Sequence, residues 1–367
     1  MSQSRTIWIF TLIIIAIGLV ALYSASYENV RVSQQVFYDQ LRCAGFGILV
    51  MYLTSRLHYR LFFDIAYPLY AVNVVLLLIV FFAGHSALGA TRWFNVFGIS
   101  FQPSELSKVA IILMLGRYYS TRNPKLSFDF MSTFRALKRD LLYPLFLMLL
   151  SFGLIFKQPD LGSALMVFGI FIVMLFMSGI GMKSFLGFVA ACVALVPIGW
   201  HFLRDYQRDR LLVFLNPNAD PLGAGYTIIQ SRIAVGSGGA AGKGWLAGTQ
   251  NQLNFLPERH TDFIFSVIGE EWGFLGSIVL VGCYFALIYT GLQIAQRTKD
   301  RFGNFVTVGI VSILTLQVVI NVSMTLGLSP VVGITLPLVS WGRTSFMVFM
   351  IMLGILLNFS QRKSFGA

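Results

Sequence analysis

The stretch IWIFTLIIIAIGLVAL, residues 7–22, decides the fold class of this protein. It contains no charged side chain, and a helix of about 20 mostly apolar residues is long enough to cross the hydrocarbon core of a bilayer. Arg5 is the positive charge that precedes the stretch, and no convincing small-residue cleavage site follows it. We therefore expect a retained first membrane span rather than a cleaved signal peptide.

The whole chain has the composition of an integral membrane protein. Of its 367 residues, 56% are hydrophobic and 11% are charged, whereas soluble domains carry roughly 25% charged residues. A single soluble core cannot bury that much apolar surface, so the predicted class is an all-α integral membrane protein. The net charge is +12, but the positive residues lie mostly between apolar runs, so no nucleic acid is expected as a partner.

Apolar runs recur along the chain and predict a polytopic bundle of ten transmembrane helices. A long extracytoplasmic loop, residues 204–261, separates the seventh span from the eighth, and the chain 1–367 is expected to form a single transmembrane domain. The predicted spans cover residues 6–23, 41–57, 62–82, 104–120, 140–157, 161–177, 183–203, 262–295, 303–328 and 334–360.

The positive residues set the predicted orientation. With the N-terminus in the cytoplasm, fifteen Lys and Arg residues fall on cytoplasmic segments and four on short outer segments or outer helix ends. Six of the fifteen lie between residues 117 and 139. Because loops rich in Lys and Arg stay inside, we expect a multi-pass protein of the cytoplasmic (inner) membrane with both termini cytoplasmic and residues 204–261 outside.

The stretch LPERHTDFIF, residues 256–265, gathers titratable side chains at the outer mouth of the predicted eighth span. Thr261 or Asp262 is expected to cap that helix, whose dipole stabilises a carboxylate at its start. A cap alone does not require further titratable neighbours, so the stretch is also a candidate site. Those neighbours are Glu258, Arg259 and His260.

A second group of polar residues lies around the predicted fourth and sixth spans. Glu105 and Lys108 are three residues apart, so they can meet on one helix face, as a structural ion pair or as a functional one. Arg92 and Trp93 are typical of an interfacial segment. Asp160 lies at the turn into the sixth span, where a helix cap is the simplest interpretation.

Four further polar residues lie inside predicted spans, where burial is costly. Glu270 and Glu271 are expected to pair with a cation or to line a water-filled cavity, and structural and functional roles are equally consistent with the sequence. Gln317 and Asn321, four residues apart, are expected to hydrogen-bond across helices.

These polar groups suit a substrate with an anionic head and an apolar tail that reacts at the outer leaflet. A carboxylate can act as general base for a hydroxyl nucleophile, and Lys, Arg or a divalent cation can stabilise a diphosphate leaving group. The glycine-rich SGGAAGKGW, residues 237–245, has Gly244 after its lysine instead of Ser or Thr. It therefore does not match a phosphate-binding loop and is interpreted as a flexible outer loop, so no nucleotide cofactor is expected.

Four blocks of the sequence resemble the SEDS family (shape, elongation, division and sporulation), and its elongation branch in particular. They are GATRWFNVFGISFQPSELSK at 89–108, QPDLGS at 158–163, the block 216–271 that contains DPLGAGY and PERHTDF, and NVSMTLGLSPVVGITLPLVS at 321–340. The resemblance runs along nearly the whole chain, and its third block is highly specific.

The resemblance implies a peptidoglycan glycosyltransferase that polymerises lipid II, an undecaprenyl-diphosphate disaccharide-peptide, outside the membrane. It implies a class B penicillin-binding protein transpeptidase and elongasome proteins as partners, besides the surrounding membrane lipid. The family's essential aspartate corresponds to Asp262, and its conserved Trp, Glu and Lys correspond to Trp93, Glu105 and Lys108. Substrate contacts are expected at Trp93, Arg92, Gln102, Asp160, Arg259, His260 and Glu258.

The predicted mechanism is an inverting transfer. Asp262 deprotonates the acceptor hydroxyl, or positions a divalent cation (Mg²⁺ or Mn²⁺) that does so, and the metal requirement stays open. Lys108, oriented by Glu105, offsets the charge of the leaving diphosphate. The sequence departs from the family in SWGRTS at 340–345, where SYGGSS is usual, and the role of Arg343 there stays open.

Two alternatives of other classes remain beside the enzyme. Ten spans with buried charges are also typical of a transporter, here a lipid II flippase. The third hypothesis is a non-catalytic scaffold for the penicillin-binding partner, in which Asp262 is a replaceable helix cap.

Overall fold

The computed structural model of this chain is predominantly helical. It describes residues 2–27, 30–83, 85–87, 90–96, 99–122, 141–223 and 225–361. The predicted cytoplasmic charges between 123 and 140 and at 362–363 lie outside the described residues, as does the side chain of Arg92.

The helices follow one another along the chain with short connections. They are α1 Gln3–Ser26, α2 Val30–Arg56, α3 Tyr59–Asp64, α4 Ala66–Ala83, α5 Pro103–Ser120, α6 Tyr143–Lys157, α7 Leu161–Met177, α8 Met182–Ala194, α9 Val196–Phe202, α10 Asp205–Leu215, α11 Tyr226–Ser237, α12 Thr249–Gln252, α13 Ile264–Glu271, α14 Gly273–Arg297, α15 Arg301–Thr325 and α16 Arg343–Ser360.

Helical segments coincide with the predicted membrane spans. In the described part of the chain, four helices are long and apolar enough to cross a membrane, namely α1, α14, α15 and α16. The pair α8 and α9, bent by 42°, makes a fifth if it is one span, and α4, α6 and α7 are shorter apolar helices. The prediction of a helical membrane protein is confirmed, while the count of ten spans stays a prediction.

Two predicted spans begin or run differently in the structure. The eighth, predicted as one helix over 262–295, is broken, because α13 ends at Glu271 and α14 begins at Gly273, whose φ is +66°. The tenth, predicted from residue 334, begins only at Arg343. Pro337 explains part of that delay, since a proline inside a helix removes a backbone donor and clashes with the preceding turn.

A small antiparallel sheet interrupts the helical fold and was not predicted. It consists of β1 His85–Ala87, β2 Ala90–Val96 and β3 Ile99–Phe101, in the order β1-β2-β3. Phe94 pairs with Phe101 between β2 and β3. The segment ATRWFNV contains the β-branched and aromatic residues that favour strands, so the expected interfacial segment is a strand rather than a helix or coil.

The loop predicted at 204–261 contains α10, α11 and α12 and a 3₁₀ turn at Pro217–Ala219. Its glycine-rich part is not the flexible loop that we expected. The backbone N–H groups of Lys243 and Gly244 donate to the carbonyls of Glu270 and Glu271, each at 3.0 Å. A Cβ atom on Gly242 would lie 2.1 Å from the Glu271 carbonyl oxygen, so only glycine allows this close approach.

Contacts within the chain group into two compact units built from interleaved segments. The first consists of Met1–Tyr52, Leu203–Thr290 and Leu314–Ile351, and the second of Leu53–Phe202, Gly291–Ile313 and Met352–Ala367. Each unit contains one of the two groups of polar residues that the sequence singles out.

Candidate active site

Asp262 precedes α13 without being its N-cap. The N-cap residue is Phe263, which makes no side-chain capping bond, so the expectation that Thr261 or Asp262 caps this helix is wrong. The cause is a tight turn at Glu258, whose φ is +50°. Its carbonyl accepts the N–H groups of Thr261 at 3.1 Å and Phe263 at 3.3 Å, which delays the start of the helix.

The backbone around Asp262 is held by the segment that leads into α16. Asn321 donates its side-chain amide to the carbonyls of Asp262 at 2.9 Å and Ile334 at 2.7 Å. The hydroxyl of Ser340 donates to the Thr261 carbonyl. Asn321 is completely buried, so these bonds place Asp262 rigidly against the segment 330–342.

The expected bonds of Gln317 and Asn321 therefore exist, but they reach an irregular segment instead of another helix. Gln317 donates its side-chain amide to the Thr335 carbonyl at 3.0 Å. Pro330 and Pro337 flank this irregular stretch, and prolines leave carbonyls without helical partners. Buried side-chain amides satisfy such carbonyls.

A pocket of about 180 Å³ opens beside Asp262 in the first unit. Asp262 Oδ2 lies 3.6 Å from the position that a Cβ atom would take on Gly333, and an Arg210 guanidinium nitrogen lies 3.9 Å from the same point. A carboxylate and a guanidinium therefore face the same space. The residues that line the pocket are Arg210, Thr227, Ile228, Pro257, Glu258, Asp262, Phe263 and Val331.

Sequence analysis missed Arg210 as a site residue. It lies 52 positions before Asp262 and outside the quoted motifs, and no local pattern distinguishes it from the other positive residues of the 204–261 segment. Only the fold of α10 against the segment around Val331, where Arg210 donates to the Val331 carbonyl at 3.3 Å, brings it to the pocket.

The other polar residues of PERHTD differ in their surroundings. Glu258 is exposed, lines the pocket and accepts the Thr261 hydroxyl at 3.0 Å. Arg259 donates through Nε to the Ala25 carbonyl at 2.7 Å and through a terminal nitrogen to the Asn251 carbonyl at 2.6 Å. Arg259 thus ties this stretch to α1 and to α12.

His260 packs edge-on against Trp341, with ring centroids 5.7 Å apart. The Trp341 N–H also donates to the His260 carbonyl at 2.8 Å. Burial lowers the pKa of His260 below its ordinary value, Glu258 opposes that shift and Arg259 adds to it. The imidazole is therefore neutral at pH 7.

Glu270 and Glu271 are buried and hydrogen-bonded, which favours their structural role. Glu270 accepts Lys243 Nζ at 2.8 Å and the backbone N–H of Gln250 at 2.9 Å. Glu271 accepts the Ser24 hydroxyl and the Asn251 side-chain amide. The cation expected for this pair comes from the glycine-rich segment rather than from a neighbouring span.

Glu105 and Lys108 form a buried ion pair in the second unit. Lys108 Nζ lies 2.7 Å from Glu105 Oε1, and the side chains are 2% and 9% exposed respectively. Both residues lie on α5, which begins at Pro103 after Gln102. The predicted contact across one helix face is confirmed.

Asp160 joins the same group of polar residues. It is the N-cap of α7 and accepts the Ser163 N–H at 3.2 Å, as the sequence predicts. Asp160 Oδ2 also accepts the Ser104 hydroxyl at 2.9 Å and the Gln102 amide at 3.0 Å. The structure therefore places Gln102, Glu105, Lys108 and Asp160 in the second unit, where Trp93 lies partly buried in β2.

Together, the apolar helices and the buried polar groups define a polytopic membrane protein with an acidic candidate active site. Residues 4–364 match the model of the family described as FTSW_RODA_SPOVE, cell cycle protein. The chain belongs to this family, so the resemblance to SEDS proteins is confirmed.

Named relatives and solved structures agree with this membership. The peptidoglycan glycosyltransferase MrdB of Escherichia coli K12 is 37% identical, with 96% of this chain and 92% of the relative covered. Stage V sporulation protein E of Bacillus subtilis is 34% identical, with 96% and 95% covered.

Two solved structures share the fold over nearly the whole chain. A chain from a study of how a peptidoglycan synthase complex coordinates polymerization and crosslinking superposes with a TM-score of 0.80 at 34% identity, covering 97% of this chain and 96% of that one. The rod shape determining protein RodA of Thermus thermophilus superposes with a TM-score of 0.70 at 30% identity, covering 97% and 95%.

Proposed function

We propose that this protein is a peptidoglycan glycosyltransferase that polymerises lipid II on the outer face of the cytoplasmic membrane during cell elongation. Its family membership and the name of its relative MrdB support the activity and the cell wall as its setting. The observation that carries the proposal is the position of Asp262, which lines a pocket at the start of α13 without being the N-cap residue.

In the proposed reaction, Asp262 accepts the proton of the acceptor sugar hydroxyl. The hydroxyl oxygen forms a bond to the anomeric carbon of the donor, whose bond to the diphosphate oxygen breaks. Undecaprenyl diphosphate leaves with the bonding electrons, and attack from the opposite face inverts the anomeric configuration. The activated donor supplies the free energy, so a site without a nucleotide is sufficient.

The ion pair on α5 is proposed to act on charge that develops on the substrate. Glu105 holds Lys108 in one orientation through the 2.7 Å contact, and a positioned ammonium stabilises a developing anion. The remaining expected substrate contacts at Trp93, Arg92, Gln102, Asp160, Arg259 and His260 stay part of the proposal.

A divalent cation is a further element of the proposal. Among the described residues, no group of three or more His, Cys, Asp or Glu side chains is arranged to hold a metal ion. Asp262 and Glu258 both line the pocket, and one or two carboxylates suffice for Mg²⁺, which usually keeps several waters. These two residues would hold the ion, which would lower the pKa of a bound hydroxyl.

The partner and the topology are proposed on a similar footing. The solved complex that this chain resembles joins polymerization to crosslinking, which supports a class B penicillin-binding protein as partner, with elongasome proteins around it. Ten spans, an outward 204–261 segment and both termini in the cytoplasm complete the proposed arrangement, on the basis of the distribution of Lys and Arg.

A lipid II flippase is the second candidate, favoured by one observation. The bent pair α8 and α9 has the broken-helix form that transporters use near their substrate sites. Detergent separates the two functions, because a flippase has nothing to transport without a bilayer.

Glycan polymerisation from purified lipid II in detergent, with and without a class B penicillin-binding protein, tests the proposal. The wild type should make polymer, and Asp262→Asn should lower the rate by about 10²–10⁴-fold while it still folds and binds the partner. Glu258→Gln is a matched control that removes an exposed carboxylate of the same pocket. Polymer from Asp262→Asn at the wild-type rate would make Asp262 catalytically dispensable, and no polymer from either protein would favour the flippase.

A further inference from the structure

Arg210 projects into the Asp262 pocket from a helix that is otherwise largely exposed. On α10, only Gln207 and Val213 are buried. The Arg210 guanidinium donates to the Val331 carbonyl at 3.3 Å and lies 5.8 Å from the centre of the Tyr206 ring. One long hydrogen bond uses one of the five N–H donors that a guanidinium carries.

The charges of the pocket make the position of Arg210 significant. Its titratable lining residues are Arg210, Glu258 and Asp262, so Arg210 supplies the positive charge of the described lining. Two carboxylates alone would repel an anionic substrate group. A guanidinium beside them offsets that repulsion and provides a planar pair of donors that matches phosphate oxygens.

The space between the two charged groups is kept open by a glycine. Gly333 has a φ of +73°, and a Cβ atom there would lie 3.6 Å from Asp262 Oδ2 and 3.9 Å from an Arg210 nitrogen. Any side chain at this position would occupy the gap between base and cation. The gap is therefore available to a ligand that touches both.

We propose that Arg210 binds the diphosphate group of the polyprenyl-linked substrate in the pocket of Asp262. This inference rests on the proposed function and adds to it the residue that contacts the leaving group. As the bond from the anomeric carbon to the diphosphate oxygen breaks, the oxygen keeps the electron pair and Arg210 remains protonated, hydrogen-bonded to the new anion. The proton of the acceptor passes to Asp262, so Arg210 takes no part in proton transfer.

Binding of undecaprenyl diphosphate and lipid II polymerisation by the full-length protein in detergent test this proposal together. Arg210→Gln should weaken binding of undecaprenyl diphosphate and raise the KM for lipid II by roughly tenfold, since charge-assisted hydrogen bonds are the strong ones and an exposed site is screened. Arg210→Lys should recover part of both, because an ammonium keeps the charge but loses the planar fork.

The matched control is Arg208→Gln, which removes the same charge from the same helix. Arg208 pairs with Asp205 at 3.6 Å and does not line the pocket, so this variant should stay within about twofold of the wild type. Undecaprenyl monophosphate serves as a second probe, and its binding should depend less on Arg210.

Each result bears on the inference separately from the proposed function. If the wild type polymerises lipid II and Arg210→Gln binds undecaprenyl diphosphate as the wild type does, the inference fails and the proposed function stands. Equal losses in Arg210→Gln and Arg208→Gln would also overturn it, because the effect would then be general electrostatics. If the wild type makes no polymer but binds the diphosphate in an Arg210-dependent manner, the proposed function fails while the anion site stands.

Discussion

The carboxylate of Asp262 lies 3.6 Å from the point where a Cβ atom would stand on Gly333. Gly333 has a φ of +73°, in the left-handed region that costs other residues roughly 1–2 kcal/mol. The irregular segment before α16 can therefore pass directly beside the proposed base only because residue 333 is glycine.

Gly333→Ala should lower polymerisation strongly and destabilise the protein by roughly 1–2 kcal/mol, because it adds backbone strain and a methyl group in the pocket. Polymerisation assays and thermal unfolding in the same detergent measure the two effects. Gly236→Ala is the control, since Gly236 lies in α11 with nothing within 4 Å of its Cβ position, and it should be neutral or stabilising by up to about 1 kcal/mol. Full activity in Gly333→Ala would show that the gap beside Asp262 is not used.

Glu270→Gln should destabilise the protein by roughly 3 kcal/mol. Glu270 is completely buried and pairs with Lys243, and breaking a buried pair leaves an uncompensated charge. Thermal unfolding measures the loss, and Glu258→Gln, at an exposed carboxylate, should stay within about 0.5 kcal/mol of the wild type. An unchanged unfolding temperature in Glu270→Gln would contradict the structural role of this network.

The α5 ion pair allows structure and function to be separated by a double substitution. Lys108→Met should cost roughly 3 kcal/mol because Glu105 is left buried without its cation, and adding Glu105→Gln should recover part of that stability. If Lys108 stabilises charge on the substrate, polymerisation stays lost in the stabilised double variant. Recovery of activity along with stability would show that the pair serves the fold alone.

His260 predicts a pH dependence of stability. Its folded pKa lies below the ordinary value of 6.5 because of burial. As the pH falls through 6.5, the unfolded chain takes up a proton before the folded chain does, so stability decreases until the pH passes the folded pKa. Thermal unfolding at pH 7.5 and pH 5.5 should show a smaller difference for His260→Gln than for the wild type.

The control for that measurement is Ser237→Ala, which removes a hydroxyl bonded to the Ala234 carbonyl and no titratable group. It should keep the wild-type pH difference. If His260→Gln keeps that difference as well, another group is responsible for the pH dependence of stability.

Local sequence predicted the helices well and their ends less well. Hydropathy located helical segments at each predicted span because the requirement to cross an apolar layer acts on every consecutive run of residues. It did not reveal the break at Trp272 and Gly273, since the residues on both sides are apolar. That break depends on Gly242, which packs against the carbonyl of Glu271 from a distant part of the chain.

The candidate site was predicted in part. Asp262, Glu105, Lys108 and Asp160 were identified because charged residues at span ends are costly and conspicuous. The predicted role of Asp262 as helix cap was wrong, because the turn at Glu258 moves the start of α13 to Ile264. Arg210 was missed because its position in the pocket depends on a contact with Val331 across 121 residues of chain.

The sequence by itself determined that this is a helical membrane protein of a known family, because composition, hydropathy and motifs act locally along the chain. Only the tertiary structure decided which cation meets Asp262, which residues neutralise Glu270 and Glu271, and where the glycine-rich segment packs. Those outcomes depend on close approach between residues that lie far apart in the chain, and the free energy of burying a charge is settled by such partners rather than by sequence neighbours.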